Sequence, residues 1–184
     1  NTFQQELRML LPIYAKMASP KNSLNQFQEA LLEEALSATW REYGNENNVD
    51  NVQAYLLQIK DQGGQQVDRV AFELGKQLQA FTTNGMYGSY FNGKANISFD
   101  NDVIYLELEE LKDAPALRSV VMFCVTSRIM KEMYLTRDRK KLCFIDEAWQ
   151  LLGDDAETAK FIEEGYRRAR KYNGIFGIGT QGID

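Results

Sequence analysis

LCFIDEAWQLLGDDAETAKFIEEGYRRARKYNGIFGIGTQ, residues 142–181, decides the fold. Leu142 to Ile145 is uninterruptedly apolar, as a strand buried on both faces of a sheet should be. Residues 156–172 carry helical periodicity, Asn173-Gly174 ends that helix, and Ile175 to Thr180 is a second strand-like run. Upstream, Val103 to Leu108 (VIYLEL) reads as a further strand, and Ala114 to Tyr134, opened by Pro115, as a long helix. Strands separated by helices of this length must pair in parallel, through right-handed crossovers. Residues 103–184 therefore predict a three-stranded slice of an α/β sheet.

Before the glycine-rich NGMYGSYFNG, the grammar is helical. Leu7, Leu10, Leu11, Tyr14 and Met17 recur at spacings of three and four until Ser19-Pro20 breaks the run. Ser23 with Gln26 reads as a capping box ahead of Leu24, Phe27, Leu31, Ala35 and Ala38. Asp50 can cap a third helix bearing Val52, Leu56 and Ile59, which Gly63-Gly64 terminates. Val67, Val70, Leu74, Leu78 and Phe81 outline a fourth. Residues 1–84 are thus expected to form an all-helical subdomain, and residues 85–184 the part built around the sheet.

Composition excludes several chemistries. The 184 residues contain no histidine, which removes Ser-His and Cys-His nucleophile pairs, His-ligated zinc and imidazole bases together. Two cysteines occur, Cys124 and Cys143, both inside apolar runs where the residue behaves as a small hydrophobe. They do not amount to a disulfide framework. The formal charge of -5 argues against a general phosphate-backbone binder. The longest apolar run, Val120 to Val125, is far short of the roughly 18 residues of a membrane span. The absence of a signal-peptide pattern predicts a cytosolic, processed or excised segment.

Open parallel sheets hold their ligands at the carboxyl ends of the strands, and the polar residues of interest fall there. Asp146 and Glu147 directly follow LCFI. In phosphate-hydrolysing sheets such an aspartate holds Mg²⁺ and the adjacent glutamate polarises the attacking water. The plainer alternative is that two acids merely end a strand, with Asp146 capping a helix from Ala148. Thr180-Gln181 supplies a second polar terminus, either a strand end meeting solvent or a glutamine that bonds a terminal phosphate or the attacking water. Arg167, Arg168, Arg170 and Lys171 lie at the basic end of a helix that begins with acids, which the helix dipole favours without any function. Glu163 with Arg167 and Glu164 with Arg168 are at ideal i,i+4 spacing, which leaves Arg170 and Lys171 without a local partner.

FIDEAWQLL followed by a helix and RARKYNGIFGIGTQ resembles the TraC-type ATPases of conjugative type IV secretion systems. NGMYGSYFNG leading into VIYLELEELKD is similar to the stretch preceding the Walker B strand in that family, and the helical half to its all-α insertion. The resemblance implies a RecA-like P-loop ATPase core, with Asp146 and Glu147 as the Walker B pair and Asp146 holding Mg²⁺. It makes Gln181 the sensor glutamine and Arg170 the arginine finger, with Arg168 the weaker choice. It further implies ATP as cofactor and a hexamer-forming motor, related to DNA-translocating ATPases, which makes DNA a further candidate contact. Such a motor works with other secretion components at the cytoplasmic face of a Gram-negative inner membrane, in pilus assembly and substrate transfer.

The sequence departs from that pattern in one respect. No G-x-x-x-x-G-K-[ST] phosphate loop occurs in it: Gly63-Gly64 is followed by Gln65-Gln66, and Gly75-Lys76 by Gln77. That loop supplies the amides and lysine that cradle phosphates, so the chain by itself is expected to be inactive. The implied reading is a partial core lacking its phosphate-loop strand, with a bare or copy-covered edge on the Thr180-Gln181 strand. The competing reading is a helical interaction module whose residues 1–84 dock a partner, the acidic pair being structural.

Overall fold

The computed structural model describes residues 2–61, 63–93, 101–135, 137–146 and 156–179. By contacts the chain divides into two compact units, Asn1–Arg118 and Ser119–Asp184, so residues 85–118 group with the helical part.

The first unit is built from α1 (Thr2–Ala18), α2 (Gln26–Tyr43), α3 (Val49–Leu56), α4 (Arg69–Gln77) and the single turn α5 (Gly88–Phe91), with 3-10 turns between. Its core is one side of each amphipathic helix: Tyr14 and Met17 from α1, Leu32, Ala35 and Leu36 from α2, Val52 and Leu56 from α3, Ala71 and Leu74 from α4. Leu78 and Phe81 continue that face into a 3-10 turn, where Phe81 meets Tyr87 and Phe91 at centroid distances of 5.4 Å each. Gly75 lets α3 and α4 approach closely, since a Cβ there would stand 2.9 Å from Leu57 Cδ2. Gln53 Nε2 ties the same two helices by donating to the Gly75 carbonyl at 2.9 Å.

The caps differ from the sequence expectation by small offsets with a common cause. The capping box forms between Asn25 and Gln28 instead of Ser23 and Gln26: each side chain accepts from the other's backbone N–H at 2.9 Å. Asn25 holds the extended backbone (φ −78°, ψ 165°) that an N-cap needs. The third helix starts from Asn48, whose side chain accepts from the Asn51 N–H at 3.1 Å, and Asp50 accepts from the Thr83 N–H and hydroxyl at 3.0 and 2.8 Å. Asp68 caps the fourth, and Val67, expected in its apolar stripe, forms an antiparallel bridge with Lys60 and is exposed.

The second unit contains most of α6 (Pro115–Leu135), then β1 (Lys141–Ile145), α7 (Ala156–Ala169), a 3-10 turn (Arg170–Tyr172) and β2 (Gly174–Ile178). The two strands pair in parallel, Lys141 opposite Gly174 and Ile145 opposite Ile178, as the sequence predicts. Met133, Ile162, Ala169 and Phe176 form its core, with Ile129, Met130, Cys143 and Ile145 packed against it.

Two expectations about the sheet are corrected. The described sheet has two strands, and Val103–Leu108 carries no strand pairing among the described residues; Val103 and Tyr105 are 85% and 83% exposed. A strand exists only through its neighbour's hydrogen bonds, and composition alone does not provide one. Nor is Leu142–Ile145 buried on both faces: burial alternates along β1, with Leu142 and Phe144 69% and 62% exposed. Cys143 and Ile145 face the core, while Leu142, Phe144 and, across the register, Ile175 make an open apolar face.

Candidate functional site

The apolar run of β1 ends at Ile145, and the chain turns at Asp146, whose side chain is exposed. The register carries β2 past the same level: Gly179, the residue after β2, donates its N–H to the Ile145 carbonyl at 2.7 Å. A Cβ on Gly179 would lie 2.7 Å from Asp146 Oδ1 and 3.3 Å from Phe144 Cζ, and one on Gly177 3.1 Å from Phe144 Cδ2. The two glycines thus form a bare track on which the Phe144 ring lies, and Gly179 puts no side chain against the Asp146 carboxylate at the strand end. Gly179 adjoins the candidate site and was not among the residues that the sequence pointed to. Its signal was the spacing of the second glycine in GIGTQ, one step before the expected sensor segment.

Glu147, Thr180 and Gln181 lie outside the described residues. Each is one or two residues along the chain from a pair, Asp146 and Gly179, that the register places side by side.

An exposed carboxylate at a strand end suits the way Mg²⁺ is usually held, through one or two carboxylates together with water and substrate phosphates. Among the described residues there is no cluster of three or more His, Cys, Asp or Glu able to form an all-protein cage. Asp146, exposed at the strand end beside a glycine, therefore fits as one carboxylate ligand of such a metal. Thiol chemistry does not compete with this reading: burial pushes the Cys124 thiol up to about 11 and raises Cys143 as well, opposite to what a nucleophile requires.

The arginines lie at the other end of the sheet. Arg170 occupies the 3-10 turn that leads into β2, so it sits at the amino end of the strand whose carboxyl end reaches Asp146. Gly174 to Gly179 at roughly 3.3 Å per residue separates those ends by about 16 Å, beyond the span of one arginine side chain. The i,i+4 pairs expected from the sequence are present, Arg168 with Glu164 at 3.6 Å and Arg167 with Glu163 at 4.0 Å. Arg170 and Lys171 are exposed, and neither forms an ion pair among the described residues. A contact the sequence did not signal is the Arg137 guanidinium stacked 5.0 Å from the centroid of the Tyr172 ring. Hydrogen bonding to Arg168, with help from Lys171 and Arg137, holds the Tyr172 phenol below the ordinary tyrosine range.

The TraG P-loop domain family matches residues 24–184. Protein TraC of Escherichia coli is 37% identical over 175 residues, which is 91% of this chain and 20% of TraC. The type IV secretion system protein CagE of Helicobacter pylori is 31% identical over 104 residues, 55% of this chain and 10% of CagE. The chain thus spans a fifth or less of the length of these curated relatives. The solved structure of VirB4 from Thermoanaerobacter pseudethanolicus shares the fold, with a TM-score of 0.63 and 18% identity over 97% of this chain and 65% of that one. No helix among the described residues is long and apolar enough to cross a membrane.

Proposed function

The chain belongs to the TraG P-loop domain family, as a segment of a TraC/VirB4-type ATPase of type IV secretion, and from that membership we propose that it supplies the metal-carboxylate and sensor side of the ATP site. The observation that carries the proposal is the parallel pair β1–β2, which sets the exposed Asp146 beside Gly179 at the carboxyl edge of the sheet. In this reading residues 85–184 are the partial RecA-like core and residues 1–84 a helical subdomain.

Asp146 is the proposed ligand that would hold Mg²⁺, and that ion would supply charge neutralisation for phosphate groups. Glu147 orients the attacking water and takes up its proton on the side-chain carboxylate. Gln181 bonds that water or the terminal phosphate through its amide, so that the strand end registers which nucleotide is bound. The phosphate cradle is not encoded in these 184 residues, so the chain alone is expected to turn over no ATP. Because Arg170 lies at the far end of β2 from Asp146, its proposed target is the nucleotide of a neighbouring copy. That requires head-to-tail association, a closed ring of six by the family resemblance. The work of the full-length protein, by the same resemblance, is to power pilus assembly and substrate transfer beside other secretion components at the inner membrane.

The test is Glu147→Gln in the full-length protein. ATP turnover should fall roughly a hundredfold or more, the scale of a general base, while nucleotide binding persists. Turnover at the wild-type rate would remove the catalytic assignment and leave the acidic pair as the structural end of a strand.

A further inference from the structure

Arg170 sits in a 3-10 turn of three residues, an element too short to hold its own geometry. The residues around it are nonetheless anchored. Ala169, immediately before, is buried in the core of the second unit. Tyr172, two residues after, receives the Arg137 guanidinium on its ring face. Asn173 adopts φ 55°, a left-handed conformation that asparagine tolerates better than most residues. From it the side-chain Nδ2 donates to the Arg137 carbonyl at 2.8 Å, and its own carbonyl accepts from the Lys141 N–H at 3.1 Å. Lys141 in turn donates its Nζ to the Glu132 carbonyl at 3.0 Å, tying the start of β1 to the end of α6. On the helix side, Arg168 faces Glu164 at 3.6 Å. The outcome is a turn fixed at residues 169, 172 and 173, with the exposed Arg170 side chain projecting from it.

We propose that Arg137, Tyr172 and Asn173 form a positioning clamp that presents Arg170 to a phosphate held by the adjacent copy. This rests on the reading of Arg170 given above. A guanidinium that must meet charge developing on another subunit's nucleotide gains from a fixed backbone, because freedom at the turn would have to be lost at each encounter. Arg137 lies 33 residues upstream of Arg170, in the segment leading into β1, and it acts through Tyr172 instead of touching the nucleotide.

The clamp makes kinetic and structural expectations for the full-length protein. Tyr172→Ala and Arg137→Ala should lower kcat about ten- to a hundredfold with the KM for ATP unchanged, the size of a small misplacement of a reacting group. Tyr172→Phe, which keeps the ring face, should stay closer to wild type. In an Arg170→Ala background, Tyr172→Ala should cost nothing more, since the clamp would have nothing left to place. Hydrogen exchange at the Lys141 amide reads the clamp without turnover, and should quicken in Tyr172→Ala, Arg137→Ala and Asn173→Gly, the last of which keeps the left-handed backbone. Equal kinetic losses in the presence and absence of Arg170 would overturn the positioning role. So would quickened exchange with wild-type kcat. Wild-type turnover in Arg170→Ala would instead overturn the reading of Arg170 on which the clamp depends.

Discussion

At the scale of the residue, Gly179 decides more than its neighbours do. A methyl group at this position meets the far end of the Asp146 side chain, 2.7 Å away, and the Phe144 ring at 3.3 Å, and not backbone. The carboxylate can rotate aside, so Gly179→Ala should change unfolding stability by no more than about 0.5 kcal/mol. The displaced carboxylate should still cost the full-length protein about tenfold in ATP turnover, since the proposed metal ligand no longer keeps its place. Urea unfolding and steady-state kinetics of one variant separate the two effects; a large stability loss with normal turnover would mean that Gly179 serves the fold alone. Asp146 was legible because four apolar residues before a carboxylate mark a strand end. Gly179 was not, because its significance lies in a cross-strand distance that only the register reveals.

At the scale of the element, the second unit depends on the close approach of α7 to β2. A Cβ on Gly165 would stand 2.6 Å from Cε2 of Phe176, whose ring is buried in the core. In an exposed helix, replacing glycine with alanine gains about 1 kcal/mol. Here the ring must move, and overpacking costs about 1 to 3 kcal/mol, so Gly165→Ala should destabilise despite its helix propensity. A rise in the chemical-unfolding midpoint of the chain would show that α7 has room to withdraw from the sheet. In the helical unit, Asn25→Ala should remove the Oδ1 acceptor of the Gln28 N–H while keeping the backbone N–H that donates to Gln28 Oε1, and cost about 1 kcal/mol, readable in the same experiment. Ser23→Ala should be near neutral, which distinguishes the observed cap from the one the sequence suggested.

These elements also show why sequence reading succeeds unevenly. Helix periodicity is local, so α1 through α4 and α6 could be read from spacings of three and four. Caps need one residue with extended backbone beside a helix, and in KNSLNQ and NNVD several side chains can fill that role, so the choice slips by two positions. Strands are worse served. LCFI and VIYLEL are equally strand-like in composition, yet among the described residues only the first has a partner to pair with.

At the scale of the whole molecule, charge is distributed with a direction. The two segments on the amino side of the strands, Arg137–Lys141 and Arg167–Lys171, carry eight basic residues and one acid, and the carboxyl side presents Asp146 followed in sequence by Glu147. A sheet with basic segments at its amino edge and a carboxylate at its carboxyl edge suits head-to-tail association, in which the cation of one copy would complete the proposed site of the next. In the proposed ATP site two parts would then be supplied from elsewhere: the phosphate loop, which these 184 residues do not contain, and the arginine, by another copy.

The most direct test mixes two inactive full-length proteins, one carrying Glu147→Gln and the other Arg170→Ala. Each supplies what the other lacks, so a ring containing both includes some sites with an intact Glu147 facing an intact Arg170. ATP turnover should then be partly restored, with a maximum at intermediate mixing ratios. Turnover that never exceeds that of the separate variants, at any ratio, would contradict the account.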